Sequence, residues 1–187
     1  MRRIFAIAAL ALLSTACGTT VNFTNFGAPD KSVEGTWILN EKTTEKGGEG
    51  VSVDAYTFNS DGTFTEKGYM KMEMRDTSGV TYFDISFEGG GKYGVADGCI
   101  NFDFAPAQAK VSLDRFEMDM GNKYSSGDNA KAASLLKLIL VNPMVNAMKK
   151  TMKTDQIYRL DSVTPDALTI TNTNGSDAKP KTYVKDK

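Results

Sequence analysis

Three methionines alternate with charged residues in Met70-Lys71-Met72-Glu73-Met74-Arg75, which puts three thioether sulfurs on one side of an extended chain. Thioethers are soft, polarizable and flexible. Such a row suits an adaptable apolar binding surface, ordinary filling of an irregular core, or ligation of Cu(I). Copper would need help that this chain lacks, because it has no His and no second thiol near the row. The same absence removes Ser-His-Asp and Cys-His catalysis, most catalytic zinc sites and axial His ligation of haem. Tyr82, Asp84, Ser86 and Glu88 share a strand face, but their two carboxylates stand four residues apart. That is roughly 13 Å in extended chain, too far for a close acid pair, so a solvated face is the better reading. Asn59-Ser60-Asp61-Gly62 begins like a calcium loop but lacks the later ligands, and reads as a hairpin turn. Gly89-Gly90-Gly91 lacks the strand-to-helix setting of a phosphate loop and reads as a bend or bulge. With no base–nucleophile set visible, the expectation is a non-enzymatic protein with no cofactor and no metal.

The elements that position the methionine row are strands. Phe83, Ile85 and Phe87 take one face of residues 81–88, and Ile100, Phe102 and Phe104 one face of residues 99–104. Further strand-like runs cover residues 35–43, 51–58, 110–120, 156–160, 168–171 and 181–184. Turn chemistry separates them at residues 59–62, 77–79, 97–98, 164–166 and 174–175. Between Leu113 and Phe116 the apolar phase slips, which predicts a bulge. Many short strands with hairpin-sized connections predict a mainly β fold, an antiparallel up-and-down barrel, since closure removes exposed edges. Residues 127–152 interrupt the pattern as a helical insertion. Asp128 can cap a first helix running to Val141 with a wide apolar face, and Asn142-Pro143 can start a second that carries Met144, Val145 and Met148. The expectation is an angled helix pair.

Several short motifs resemble the lipocalin-like domains of small lipoproteins from Gram-negative bacteria. Gly35-Thr36-Trp37 resembles the first lipocalin strand, in which Trp closes the barrel base, so the resemblance implies a structural plug at Trp37. Tyr56 to Phe64, Gly91-Lys92-Tyr93-Gly94-Val95 with Asp97-Gly98-Cys99-Ile100, and Ile157-Tyr158-Arg159-Leu160 with Leu168-Thr169-Ile170 are similar to successive hairpins of that group. The likeness spans most of residues 33–185. It departs at the helical insertion and offers no residue matching a known ligand contact, so it implies a fold and a ligand-holding habit without a ligand.

The N-terminus reads as an address. Met1-Arg2-Arg3 precedes an apolar run over residues 4–13 and then Ser14-Thr15-Ala16-Cys17. Ten residues are too few to span a bilayer, so this is a secretory signal over residues 1–16. The tail resembles a lipobox, which implies a lipidated Cys17 followed by a flexible spacer over residues 17–32 and a barrel domain over residues 33–187. Leu13 stands one place early for that motif, and Ser14-x-Ala16 also suits an ordinary signal peptidase. If Cys17 carries acyl chains of the palmitate kind, the anchor is stable and Cys99 is a lone thiol, read as a small strand residue. Gly18 rather than Asp after the cysteine implies the outer membrane, and the absence of a following acidic cluster favours the periplasmic over the cell-surface side.

With 22 basic against 23 acidic residues there is no footprint for nucleic acid. The expected function is to bind a small hydrophobic or amphipathic ligand, of lipid or fatty acyl type, in an apolar lumen. The expected lining is Met70, Met72, Met74, Phe83, Ile85, Phe87, Phe102 and Phe104, roofed by Leu136, Ile139, Leu140, Met144 and Met148 as the underside of a helical lid. The alternatives are an interaction or scaffold module of the cell envelope, with a solid barrel and a protein partner, or a helix pair lying on the membrane surface.

Overall fold

The structure, a computed structural model, describes Phe23 and residues 25–45, 47–77, 79–120, 126–173 and 179–187. Among the described residues nine strands follow one another: β1 (Gly35–Glu45), β2 (Gly48–Phe58), β3 (Thr63–Asp76), β4 (Gly79–Ala96), β5 (Cys99–Phe104), β6 (Lys110–Asp119), β7 (Gln156–Val163), β8 (Ala167–Asn172) and β9 (Lys181–Lys185). All pairings among them are antiparallel. Eight strands close a ring in the order β3-β2-β1-β9-β8-β7-β5-β4, with β4 returning to β3. The expected antiparallel barrel is therefore present, and its neighbours follow chain order.

The ninth strand explains the shape. The glycine run at residues 89–91 marks a change of partner: β4 pairs with β6 as far as Glu88 and with β5 from Gly91 onward. Strands β5 and β6 thus run in one direction along the same edge of β4, joined by a short 3-10 turn at Pro106–Gln108. Beyond β5 the ring closes through β7; beyond β6 no strand follows among the described residues. One half of the barrel is closed, and in the other β1, β2, β3, β4 and β6 continue as a curled sheet. The bulge expected in β6 is there, as the β4–β6 register slips between Asp84 and Ile85. At the β4–β5 hairpin both Asp97 and Gly98 take positive φ, of 54° and 73°, as a two-residue turn that follows strand twist requires.

Helix covers the open half. An α-helix, α1 (Ser126–Leu136), passes through a five-residue π segment (Lys137–Val141) straight into α2 (Asn142–Thr151). The expected helix pair is thus one run rather than two angled pieces. Pro143 has no N–H to return to residue 139, and the Asn142 N–H instead reaches the Lys137 carbonyl, five residues back. The side chains of Asp128 and Leu140 lie outside the described residues, as does Cys17.

The spacer expected over residues 17–32 is pinned from Asn25 onward. Ala28 forms a β-bridge with Val95, and the Asn101 side-chain amide donates to the Asn25 and Phe26 carbonyls at 3.2 and 3.0 Å. Asn101 is buried, and these two carbonyls satisfy it.

Candidate functional site

The interior divides into two apolar clusters. In the closed half, Trp37, Tyr56, Phe58, Phe64, Tyr93, Ile100, Phe102, Phe104, Leu168, Ile170 and Tyr183 pack together, none more than 3 % exposed. Phe102 alone has rings of Tyr56, Phe58, Phe64, Phe104 and Tyr158 within 4.8–6.0 Å of its own. Trp37 is fully buried, its Nε1 donating to the Val33 carbonyl at 2.7 Å and its ring lying 4.8 Å from Lys185 Nζ. Its indole is part of the core of the closed half.

The second cluster belongs to the open half. Met70, Met72 and Met74 stand opposite Ile85, Phe83 and Thr81 on β4, and these stand beside Leu113, Phe116 and Met118 on β6. Val111, Met144 and Met152 complete the buried set, with Val145, Met148 and Phe87 among the residues packed on its edge. The expected lining is therefore split. The methionine row, Phe83, Ile85 and Phe87 meet Met144 and Met148, whereas Phe102 and Phe104 belong to the aromatic cluster.

Part of the expected lid underside faces away. Ile139 is 53 % exposed and lies among exposed Leu135 and Leu138, while Leu136 is half-buried and joins neither cluster. The π segment is the physical reason. The inward stripe along and flanking α2 is Val141, Met144, Val145, Met148 and Met152, of which Val145 and Met148 are half-buried, an ordinary helical spacing. From Leu136 to Val141 the stripe takes a five-residue step, so residues that a continuous 3.6-residue period would place beneath the helix are turned outward.

Between the clusters lies a polar seam that the sequence reading missed. Leu39, Asp54, Gly68 and Phe87 are register partners across β1, β2, β3 and β4 and face the interior. Gly68 is required there, since a Cβ would strike the Phe87 ring and the Val53 carbonyl. Glu66 faces inward one step below, opposite Tyr56. Tyr183 Oη donates to Asp54 Oδ2 at 2.7 Å, Tyr56 Oη donates to Glu66 Oε1 at 3.0 Å, and Tyr158 Oη donates to Gln156 Oε1 at 2.8 Å. Asp54 Oδ1 is buried without a hydrogen-bond partner among the described residues. At interior-facing positions nearer the rim, Lys181 Nζ sits 3.6 Å from Glu41 Oε2.

Burial dominates the chemistry of this seam. It raises Asp54 to about 6, against lowering influences from the Tyr183 hydroxyl and Lys181. Burial raises Glu66 to about 8, helped by the neighbouring Asp54 charge. Desolvation likewise pushes the Tyr56, Tyr158 and Tyr183 phenols up, with the two carboxyls adding to it. Both carboxyls therefore keep their protons to higher pH than exposed carboxyls do.

The signal for this seam was legible in the two-residue period. If Phe64 and Met70 point inward, so must Glu66 and Gly68; if Tyr56 and Phe58 do, so must Asp54. Cys99 is a half-buried free thiol. No protein-family model and no curated protein matches the chain.

Proposed function

We propose that this chain is a lipid-anchored envelope protein whose barrel holds a small apolar or amphipathic molecule in its open half. The supporting observation is the contrast in wall chemistry. The closed half is filled by its own rings, but the open half is walled by flexible methionines and covered by one helix instead of strands. Methionine side chains re-pack around guests of varied shape at little cost. An acyl chain laid between Met70, Met72 and Met74 and the stripe of Met144 and Met148 would bury apolar area at ~25 cal/mol per Å². The seam would receive the polar end. Anchoring through Cys17, and with it placement at the outer membrane facing the periplasm, rests on the N-terminal motif.

Titration of the purified protein with the neutral fluorescent probe N-phenyl-1-naphthylamine tests the binding. The expected result is saturable enhancement, reversed by long-chain alcohols, with native mass spectrometry of fresh protein showing an added small-molecule mass. A flat titration across chain lengths would overturn the reading. Metabolic labelling with palmitate tests the anchor: the label should be lost in Cys17→Ala.

One observation favours a second reading. Leu135, Leu138 and Ile139 are exposed on the outer side of the helix, beside exposed Lys131 and Lys137. Such a patch suits docking to an envelope protein. Partner capture that is lost in Leu138→Ser and indifferent to filling of the open half would support this reading over the carrier.

A further inference from the structure

We propose that the outer face of the helix, formed by Leu135, Leu138 and Ile139 with Lys131 and Lys137, is a docking surface for an anionic phospholipid bilayer. The inference rests on the anchor reading of Cys17 given above and is independent of what the open half holds. Three observations carry it.

The first is an apolar surface with nothing over it. Six of the seven residues from Leu135 to Val141 are apolar, and a helical stretch apolar on most sides is ordinarily enclosed on most sides. Here only the inner side is covered, by the barrel. Leu135, Leu138 and Ile139 remain 58 %, 62 % and 53 % exposed and join neither core cluster. Their spacing of three and four residues makes them one patch on the helix surface.

The second is the charge around that patch. Residues 129–154 carry Lys131, Lys137, Lys149, Lys150 and Lys153 and no carboxylate, in a chain whose acids otherwise outnumber its bases. All five lysines are exposed, and among the described residues none forms an ion pair. The core of a protein–protein interface is depleted in lysine. A helix lying in the headgroup layer, by contrast, sinks Leu and Ile into the acyl boundary while its lysines reach up to lipid phosphates. The charge therefore selects a bilayer over a protein, and an anionic bilayer over a neutral one.

The third is where the chain leaves the barrel toward Cys17. Asn25 and Phe26 lie against β5, held by the Asn101 amide, and Ala28 bridges Val95 on β4. Strands β5 and β6 share one edge of β4, and the helix packs against β6, so the anchor segment and the helix belong to one flank of the barrel. From Asn25 back to Cys17 is eight residues, no more than roughly 28 Å of fully extended chain. A lipidated Cys17 would keep this flank close to the membrane surface.

Tryptophan placed at Leu138 reads the contact. Trp37 is the single tryptophan of the chain and is fully buried, so the unaltered protein supplies the background emission. Purified Leu138→Trp protein is mixed with phosphatidylcholine vesicles, with or without phosphatidylglycerol, carrying brominated acyl chains as quencher. On the vesicles with phosphatidylglycerol the emission should shift to the blue and fall at least about twofold. It should fall less on phosphatidylcholine alone, and the difference should shrink in high salt. Tyr69→Trp, on the outer face of β3 and turned away from the helix, should stay unquenched. Adding Lys131→Gln and Lys137→Gln to the Leu138→Trp protein should reduce its quenching. No quenching of Leu138→Trp, or equal quenching of Leu138→Trp and Tyr69→Trp, would overturn the docking surface. Equal quenching on the two kinds of vesicle would overturn its preference for anionic lipid. Capture of a protein partner through Leu138 without vesicle contact would give the patch to that partner and overturn the proposal. Palmitate labelling of the same protein separates the two claims. Label without quenching overturns the docking surface and spares the anchor; quenching without label supports the surface and overturns the anchor.

Discussion

The closed half of the barrel is packed with aromatic rings, the open half with methionines, and the two differ in what surrounds them. Where β7 completes the ring, the interior is enclosed by strands on every side and rigid side chains fit it tightly. Where β6 ends the sheet, a helix substitutes for the missing strands, and its looser surface is matched by side chains with three rotatable bonds. Met152, at the end of that helix, would touch a Cβ on Gly89 at 2.7 Å, so the glycine run both redirects β4 and seats the helix end. The contrast teaches that a barrel can assign rigidity and adaptability to its two ends by matching side-chain choice to what encloses each end.

Removing one side chain from each core is the strongest way to break this contrast. Phe102→Ala should cost about 3–5 kcal/mol, since five rings touch that site and none can collapse into the gap. Met72→Ala should cost about 2–3 kcal/mol, because neighbouring methionines can partly refill the space. Equal losses in urea unfolding would show that both halves are equally rigid.

The seam supplies the next effect. Asp54 and Glu66 both stand above the ordinary carboxylate range, so the folded protein retains protons that the unfolded chain gives up. Stability should be fullest below that range and fall as pH rises through about 6 and about 8. Between pH 5 and 8 the loss should be as much as about 5 kcal/mol in the empty protein, most of it from Glu66, and Glu66→Gln should flatten it. A protein more stable at pH 8 than at pH 5 would mean that the pair is ionised and solvated.

The smallest effect sharpens the placement of the helix. Ile139→Ser should change stability by less than about 0.5 kcal/mol, as expected of an exposed side chain. A core-sized loss would return Ile139 to the underside.

Strand periodicity made most of the fold legible, down to the β6 bulge and the Asp97-Gly98 turn, because inward and outward residues differ there in every strand. The methionine row and its meeting with Met144 and Met148 were legible for the same reason. The division into two cores was not, since Phe102 and Phe83 look alike in sequence and only the change of partner at Gly89–Gly91 separates them. Ile139 was misplaced because a 3.6-residue period carries no mark of a π turn, although the nearby Pro143 hinted at one. Asp54 and Glu66 escaped notice because acidic residues are read as solvent-facing by type, even where the alternation of their neighbours turns them inward.

The central claim is that the open half alone takes a guest, and methyl NMR of protein labelled at the methionine methyl groups tests it most directly. On adding dodecanol, the Met70, Met72, Met74, Met144 and Met148 methyls should shift, while aromatic signals of Phe58, Phe64 and Tyr93 stay in place. Unmoved methionines, or shifts spread equally through the aromatic core, would contradict the account.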